Sequence, residues 1–161
     1  LLIKNGINYP IGLWYEDLAT TPKIYPLCKK ISYLPLPLYF YRQRQGSIMN
    51  SFSEKVFNMY EVLKIVYDYY EKNNLLEKYY YEIERLFIYN CFFIVHKLGS
   101  SDYKEKLNKE LEAINYLENH FKNWDKNPYL KKEKALTRTH IKIMKHKRLL
   151  PIYNKLRGKK K

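Results

Sequence analysis

The sequence predicts a mainly α-helical protein, and two observations carry this prediction. Apolar side chains recur at steps of three and four residues through positions 51–125, which is the spacing of one face of an α-helix. Five of the seven prolines lie in residues 1–50, where they limit helix length. At 161 residues with 46% hydrophobic content, the chain is large enough to bury a core. We therefore divide it into segments 1–50, 51–126 and 127–161.

The middle segment contains three apolar stripes, each of which predicts one helix packed into a bundle. The first stripe comprises Phe52, Val56, Tyr60, Leu63, Tyr67 and Tyr70. The second comprises Leu76, Tyr80, Ile83, Phe87, Cys91, Ile94 and Leu98. The third comprises Leu107, Leu111, Ile114, Leu117 and Phe121. Ser51 or Ser53 is placed to cap the first helix, and Asn73-Asn74 is placed to end it.

The first segment predicts a short helix followed by a strand. The helix begins near Glu16 and is limited by Pro22 and Pro26. Residues 31–41 are β-branched and aromatic with partial alternation, which predicts a strand. Its two prolines, at positions 35 and 37, suit a strand at a sheet edge or an irregular start.

The last segment carries most of the formal charge of +14. From residue 131 onward, 13 Lys and Arg stand against one acid. Asn127-Pro128 is a good start for a helix that runs to Lys147, and Pro151 interrupts it. Two interpretations of this segment remain: its basic side chains are solvated, or they attach the segment to an anionic membrane surface. Seven apolar residues could enter that surface: Leu136, Ile143, Met144, Leu149, Leu150, Ile152 and Tyr153.

Several kinds of site are missing from the sequence. It contains no Asp-x-Asp, no glycine-rich phosphate loop and no His or Cys spacing typical of a metal site. The two cysteines lie far apart within apolar patterns, which favours free thiols in a reducing cytosol. No apolar stretch is long enough to span a bilayer. The start lacks Met and the features of a signal peptide, so we interpret the chain as cut from a longer protein.

Two motifs in the first segment occur in a characteristic order. Trp14-Tyr15-Glu16-Asp17-Leu18 comes first, and Tyr39-Phe40-Tyr41-Arg42-Gln43-Arg44-Gln45-Gly46-Ser47 follows about 25 residues later. Together they resemble the end of the catalytic domain in family 2 glycosyltransferases, which are inverting enzymes with a GT-A fold. The resemblance covers roughly the first third of the chain. It implies that residues 1–50 are the truncated carboxyl-terminal end of a GT-A domain, followed by a helical bundle.

The resemblance implies a role for the acidic pair. In inverting transfer the acceptor hydroxyl loses its proton as it attacks the anomeric carbon, and a carboxylate within hydrogen-bond reach can take that proton. Asp17 matches the base of the family, with Glu16 orienting the acceptor or assisting. Trp14 could be an apolar platform under a sugar ring. The plainer alternatives are acids that favour a helix amino terminus and a tryptophan in the core.

The same resemblance assigns the second motif to the donor diphosphate. Arg42 and Arg44 would provide fixed charge and forked hydrogen bonds. Gly46 would allow close approach of the loop, and Ser47 would donate a hydrogen bond. For both arginines the alternative is a solvated surface position.

The implied reaction transfers a sugar from a nucleotide-sugar donor to a glycan or lipid-linked acceptor. A divalent metal, Mg²⁺ or Mn²⁺, would be held by ligands outside this chain, so we expect the chain alone to be inactive. We expect a cytoplasmic protein whose basic tail makes peripheral contact with the inner face of the membrane. The sequence leaves both a monomer and a homo-oligomer as alternatives.

Two functions of another kind remain as alternatives. One is a basic helical module that binds a membrane surface or nucleic acid, and its support is charge alone. We expect no nucleic acid partner, because the aromatic residues lie on the predicted buried stripes rather than on a basic face. The other is an assembly module formed by the helical region.

Overall fold

A computed structural model describes residues 1–42 and 52–158 of the chain. The mainly α prediction is confirmed: the described residues form six α-helices and no strand. The helices are α1 (Glu16–Ile24), α2 (Asn58–Lys72), α3 (Tyr80–Gly99), α4 (Lys106–His120), α5 (Ala135–Lys145) and α6 (Leu150–Gly158). Short 3-10 helices lie between them, including Glu54–Phe57, Trp124–Lys126 and Pro128–Lys132.

The chain divides into two compact units, Leu1–Lys72 and Asn73–Lys161. The first contains α1 and α2, and the second contains the other four helices. The division falls at the predicted break after the first stripe, where α2 ends at Lys72 and Asn74 has a φ of 55°. The three-segment organisation drawn from the sequence stays a prediction, because compactness alone does not define where a catalytic domain ends.

In the first unit, α1 packs on α2. Of the predicted first stripe, Val56, Leu63 and Tyr70 are buried, whereas Phe52, Tyr60 and Tyr67 are partly exposed. The buried face of α2 also includes Met59, Val62 and Val66, and α1 contributes the fully buried Ala19. The Tyr70 hydroxyl donates a hydrogen bond to the Pro22 carbonyl oxygen at 2.7 Å, which joins the carboxyl-terminal parts of the two helices. Ser53 caps the preceding 3-10 helix, since its hydroxyl accepts from the Lys55 N–H at 3.3 Å.

In the second unit, α3 is the central helix, in contact with α4, α5, α6 and the 3-10 helix Pro128–Lys132. The predicted stripe of α3 is buried from Ile83 to Leu98, and the α4 stripe is buried from Ile114 onward. Tyr80 and Leu107, the first stripe residues within α3 and α4, are more than a third exposed. Phe121, whose ring packs edge-on against Tyr80, and Trp124 have almost no exposure and belong to the core.

The strand predicted over residues 31–41 is wrong for the described chain. Residues 28–42 form no helix or strand, and every side chain from Lys29 to Arg42 is exposed. A strand is defined by its cross-strand hydrogen bonds, and no such bond to another described residue is present here. Pro35 and Pro37 also remove two of the donors that a ladder would need.

The helix predicted from Asn127 to Lys147 is also wrong in extent. Asn127 does cap a helix, since its side-chain oxygen accepts from the Tyr129 N–H at 3.0 Å, but that helix is of 3-10 type and ends at Lys132. The backbone of Glu133 is extended, with φ −76° and ψ 154°. An ion pair of 3.1 Å to Arg85 of α3 holds Glu133 there, so a tertiary contact overrides helix continuation.

Pro151 does not interrupt a helix, because it lies in the first turn of α6. A proline is tolerated there, since the first N–H groups of a helix have no intrahelical acceptor. Of the apolar tail residues predicted to enter a membrane, Met144, Leu150 and Tyr153 are instead buried. Leu136, Leu149 and Ile152 remain exposed.

Candidate functional site

The predicted acidic pair lies at the entry to α1. Tyr15 precedes the helix with φ 66° and ψ 35°, which is the left-handed region. A bulky residue is rarely found there, and such outliers cluster at functional sites. The left-handed residue turns the chain directly into α1, so Glu16 and Asp17 become its first two residues.

Both acidic side chains are exposed, which leaves them accessible to a substrate. The Asp17 Oδ1 atom accepts a hydrogen bond of 2.8 Å from the N–H of Leu18. The unpaired N–H groups of the first helical turn also favour negative charge at this position. The geometry therefore holds one carboxyl oxygen of Asp17 against the backbone, and no described contact occupies the other.

Trp14 is half-buried, and residues of the second helix region position it. The backbone N–H of Trp14 donates to the Asn58 Oδ1 atom at 3.4 Å, and the Lys55 Nζ atom lies 5.4 Å from the ring centroid. The Tyr15 ring packs edge-on against it at 6.2 Å between centroids. A cation over the ring already uses one aromatic face. Sequence reasoning missed Lys55 and Asn58, because they lie about 40 residues away and no local motif marks them.

The predicted diphosphate residues are only partly described. Arg42 is exposed, and no ion pair joins it to Glu16 or Asp17 in residues 1–42 and 52–158. Arg44, Gly46 and Ser47 lie outside the described residues. The structure thus brings Trp14, Glu16 and Asp17 together, whereas the assembly of the second motif with them stays a prediction.

The segment that leads to Arg42 presents large apolar side chains to solvent. Tyr33, Tyr39 and Phe40 are 89%, 81% and 94% exposed, and the neighbouring leucines are also exposed. Exposed apolar groups on this scale are unusual in an isolated protein and mark surfaces that are covered by something else.

The described residues contain no set of ligands for the divalent metal that the resemblance implies. No group of three or more His, Cys, Asp or Glu side chains is placed to hold a metal ion among those residues. Glu16 and Asp17 are two adjacent acids without a third. The described residues therefore do not fit a metal site.

The second unit contains polar clusters that the sequence patterns did not predict. Arg85 of α3 stacks on the rings of Tyr89 and Tyr129, at 5.1 and 5.6 Å from their centroids. Its ion pair with Glu133 completes the cluster, and the Tyr129 hydroxyl donates to Glu82. Hydrogen bonding to Glu82 is the main cause that raises the pKa of Tyr129. These contacts fix the 3-10 helix Pro128–Lys132 on α3.

Two carboxyl groups are buried in the second unit, each with an asparagine. The Asn127 Nδ2 atom donates to Glu84 Oε2 and to the Tyr81 carbonyl, both at 2.8 Å, and Asn154 Nδ2 donates to Glu110 Oε2 at 2.7 Å. Burial raises the pKa of Glu84, which the Asn127 hydrogen bond opposes. Helix periodicity alone could have flagged both acids, since they occupy positions on the apolar faces of α3 and α4.

Wider comparisons add no family assignment. Protein-family models, curated proteins and solved structures all give no match to the chain. In the described residues, no helix has both the length and the apolar composition needed to cross a bilayer. The functional interpretation therefore depends on the motifs and on the geometry at the start of α1.

Proposed function

We propose that this chain is the carboxyl-terminal part of an inverting glycosyltransferase that uses a nucleotide-sugar donor, with Asp17 as the general base. The observation that carries the proposal is the exposed Glu16-Asp17 pair, which a left-handed Tyr15 sets on the first turn of α1. The resemblance of both motifs to family 2 enzymes supplies the reaction class, and no metal ligand is assigned to this chain.

In the proposed reaction the oxygen of an acceptor hydroxyl forms a bond to the anomeric carbon of the donor sugar. The bond from that carbon to the nucleoside diphosphate breaks on the opposite face, and the diphosphate leaves with the bonding electron pair. The acceptor proton passes to the free carboxylate oxygen of Asp17. Its other oxygen is held by the Leu18 N–H, which fixes the carboxylate plane.

The neighbouring residues would bind and orient the substrates. Glu16 is adjacent to the base and is exposed, so it can accept a hydrogen bond from an acceptor hydroxyl. Trp14 would present an apolar ring face to the acceptor, with Lys55 on the ring. Arg42 is exposed and free of ion pairs with the described acids, which suits contact with the diphosphate, together with Arg44, Gly46 and Ser47.

The test replaces Asp17 by Asn in the complete polypeptide that contains this chain. Loss of general-base catalysis should lower kcat by about 10²- to 10⁴-fold, measured as nucleoside diphosphate release from a panel of donors with glycan acceptors. Asp68→Asn is the matched control, because Asp68 is an exposed acid on α2 of the same unit and forms an exposed ion pair with Lys64. It should keep full activity.

Two results would contradict the proposal. One is an Asp17→Asn protein that is as active as the Asp68→Asn control. The other is donor consumption by the 161-residue chain alone that Asp17→Ala abolishes, because it would mean that this chain contains the whole catalytic site.

A further inference from the structure

We propose that a basic groove in the second unit binds a phosphate group. The groove lies between the 3-10 turns Trp124–Lys126 and Pro128–Lys132 and the helix α5, and its volume is about 240 Å³. Four exposed cations line it: Lys126, Lys131, Arg138 and Lys142. This inference is independent of the proposed function, since it uses a different unit and different residues.

The charge of the groove is not balanced within the described protein. No described carboxyl group lies within 4.0 Å of any of the four cations. The one acid in the lining, Asp125, pairs with Lys145 at 3.0 Å. Like charges brought together on one surface repel, so an anion that enters the groove would relieve that repulsion.

The cations are presented by a fixed framework. Asn127 anchors the 3-10 turn to α3 through its bonds to Glu84 and the Tyr81 carbonyl. Arg138 and Lys142 lie four residues apart on α5, which puts both side chains on the same helix face. Leu130 and Ile141 are buried and form the floor. These contacts set the backbone positions from which the four cationic side chains extend.

The size and lining of the groove select the ligand. A volume of about 240 Å³ accommodates a phosphate or a diphosphate group. Arg138 can make forked hydrogen bonds to two phosphate oxygens, and the lysines supply point charges. No aromatic side chain is among the described lining residues, so the groove has no platform for stacked bases. These features favour a phosphate recognised by itself over nucleic acid.

The same phosphate chemistry could come from a soluble phosphate or from a lipid headgroup. The experiment therefore measures the 161-residue chain in two arms. One arm titrates inorganic pyrophosphate by calorimetry. The other measures sedimentation with phosphatidylcholine vesicles that contain phosphatidic acid. Binding in either arm that depends on the groove supports the proposal, and the arm identifies the source.

The decisive variant is Arg138→Gln with Lys142→Gln, compared with Lys104→Gln and Lys155→Gln. Both pairs remove two positive charges from exposed positions of the second unit, and the control pair does not line the groove. We expect the groove variant to bind about tenfold more weakly or worse, since it loses charge-assisted hydrogen bonds. The control should bind nearly as well as the wild-type chain.

Three outcomes would overturn the proposal. The wild-type chain could bind in neither arm, or the groove and control variants could weaken binding equally. Binding to short duplex DNA that both variants reduce alike would also overturn it, because the charge would then act as a non-specific polyanion surface. Circular dichroism of both variants ensures that the fold is intact in each comparison.

Discussion

The two units treat their acidic residues in opposite ways. In the first, Glu16 and Asp17 are exposed and are placed by a strained backbone at Tyr15. In the second, Glu84 and Glu110 are buried, and one carboxyl oxygen of each accepts a hydrogen bond from an asparagine side chain. An exposed acid at a strained turn contributes little to packing and is available for chemistry. A buried acid that accepts a hydrogen bond from a specific side chain stabilises the fold. Removal of that donor should therefore lower the free energy of unfolding.

Removing one partner of a buried pair in the second unit should destabilise the protein more than removing a single neutral hydrogen bond in the first. Asn127→Ala removes a helix cap and leaves the buried Glu84 without its donor, so unfolding of the second unit should cost about 3 kcal/mol less. Tyr70→Phe removes one hydrogen bond to the Pro22 carbonyl and should cost about 1 kcal/mol.

Hydrogen exchange measured by mass spectrometry separates these two losses, because it reports on each unit through its own peptides. Faster exchange confined to residues 73–161 in the Asn127 variant would show that the buried pair stabilises the second unit. Equal, small effects of the two substitutions would contradict this, since the buried pair would then contribute no more than an ordinary hydrogen bond.

A smaller effect is expected from the titration of Glu84. Burial raises its pKa in the folded state, and the charge of Asp125 adds to this. The folded protein therefore keeps a proton that the unfolded chain releases. This group stabilises the folded state fully below the pKa that glutamate has in the unfolded chain. The stabilisation is lost as the pH rises through the higher pKa of Glu84 in the folded state. The slope within that window is at most about 1.4 kcal/mol per pH unit.

Glu84→Gln should remove this slope while keeping an acceptor for Asn127. Urea unfolding of the second unit across the acidic pH range measures it, and Glu77→Gln, at an exposed position, is the control. If the Glu84 and Glu77 variants lose the same part of the pH dependence, burial of Glu84 has no energetic consequence.

Features of the fold that depend on nearby residues were predictable from the sequence, whereas those that depend on distant contacts were not. The helices of the bundle were predictable, because stripes such as Ile83, Phe87 and Cys91 repeat at helical spacing and are buried. Local caps were predictable where the backbone N–H donor lies two residues after the capping side chain, as at Ser53 and Asn127. The break at Glu133 was not, since it depends on Arg85, which is 48 residues distant.

The candidate site also contains features that local sequence predicts and contacts that it does not. The order of Trp14, Glu16 and Asp17 indicates one helix start, and the structure places all three there. The contacts of Lys55 and Asn58 with Trp14 depend on the packing of α1 against α2 and leave no trace in local sequence. The strand over 31–41 failed because a strand needs a neighbour, which propensity does not supply.

The smallest expected effect isolates the backbone strain at Tyr15. Tyr15→Gly and Tyr15→Ala both remove the ring and its packing on Trp14, so their difference reports the cost of a left-handed residue, less the larger backbone entropy that glycine loses on folding. Glycine adopts positive φ freely, whereas alanine does not, so the Gly variant should be more stable by about 1 kcal/mol in unfolding of the first unit. An Ala variant as stable as the Gly variant would mean that the entry to α1 relaxes to an ordinary conformation. In that case the position of Glu16 and Asp17 would depend only on their place at the start of α1. The acids of the two units would then differ in solvent exposure but not in backbone strain.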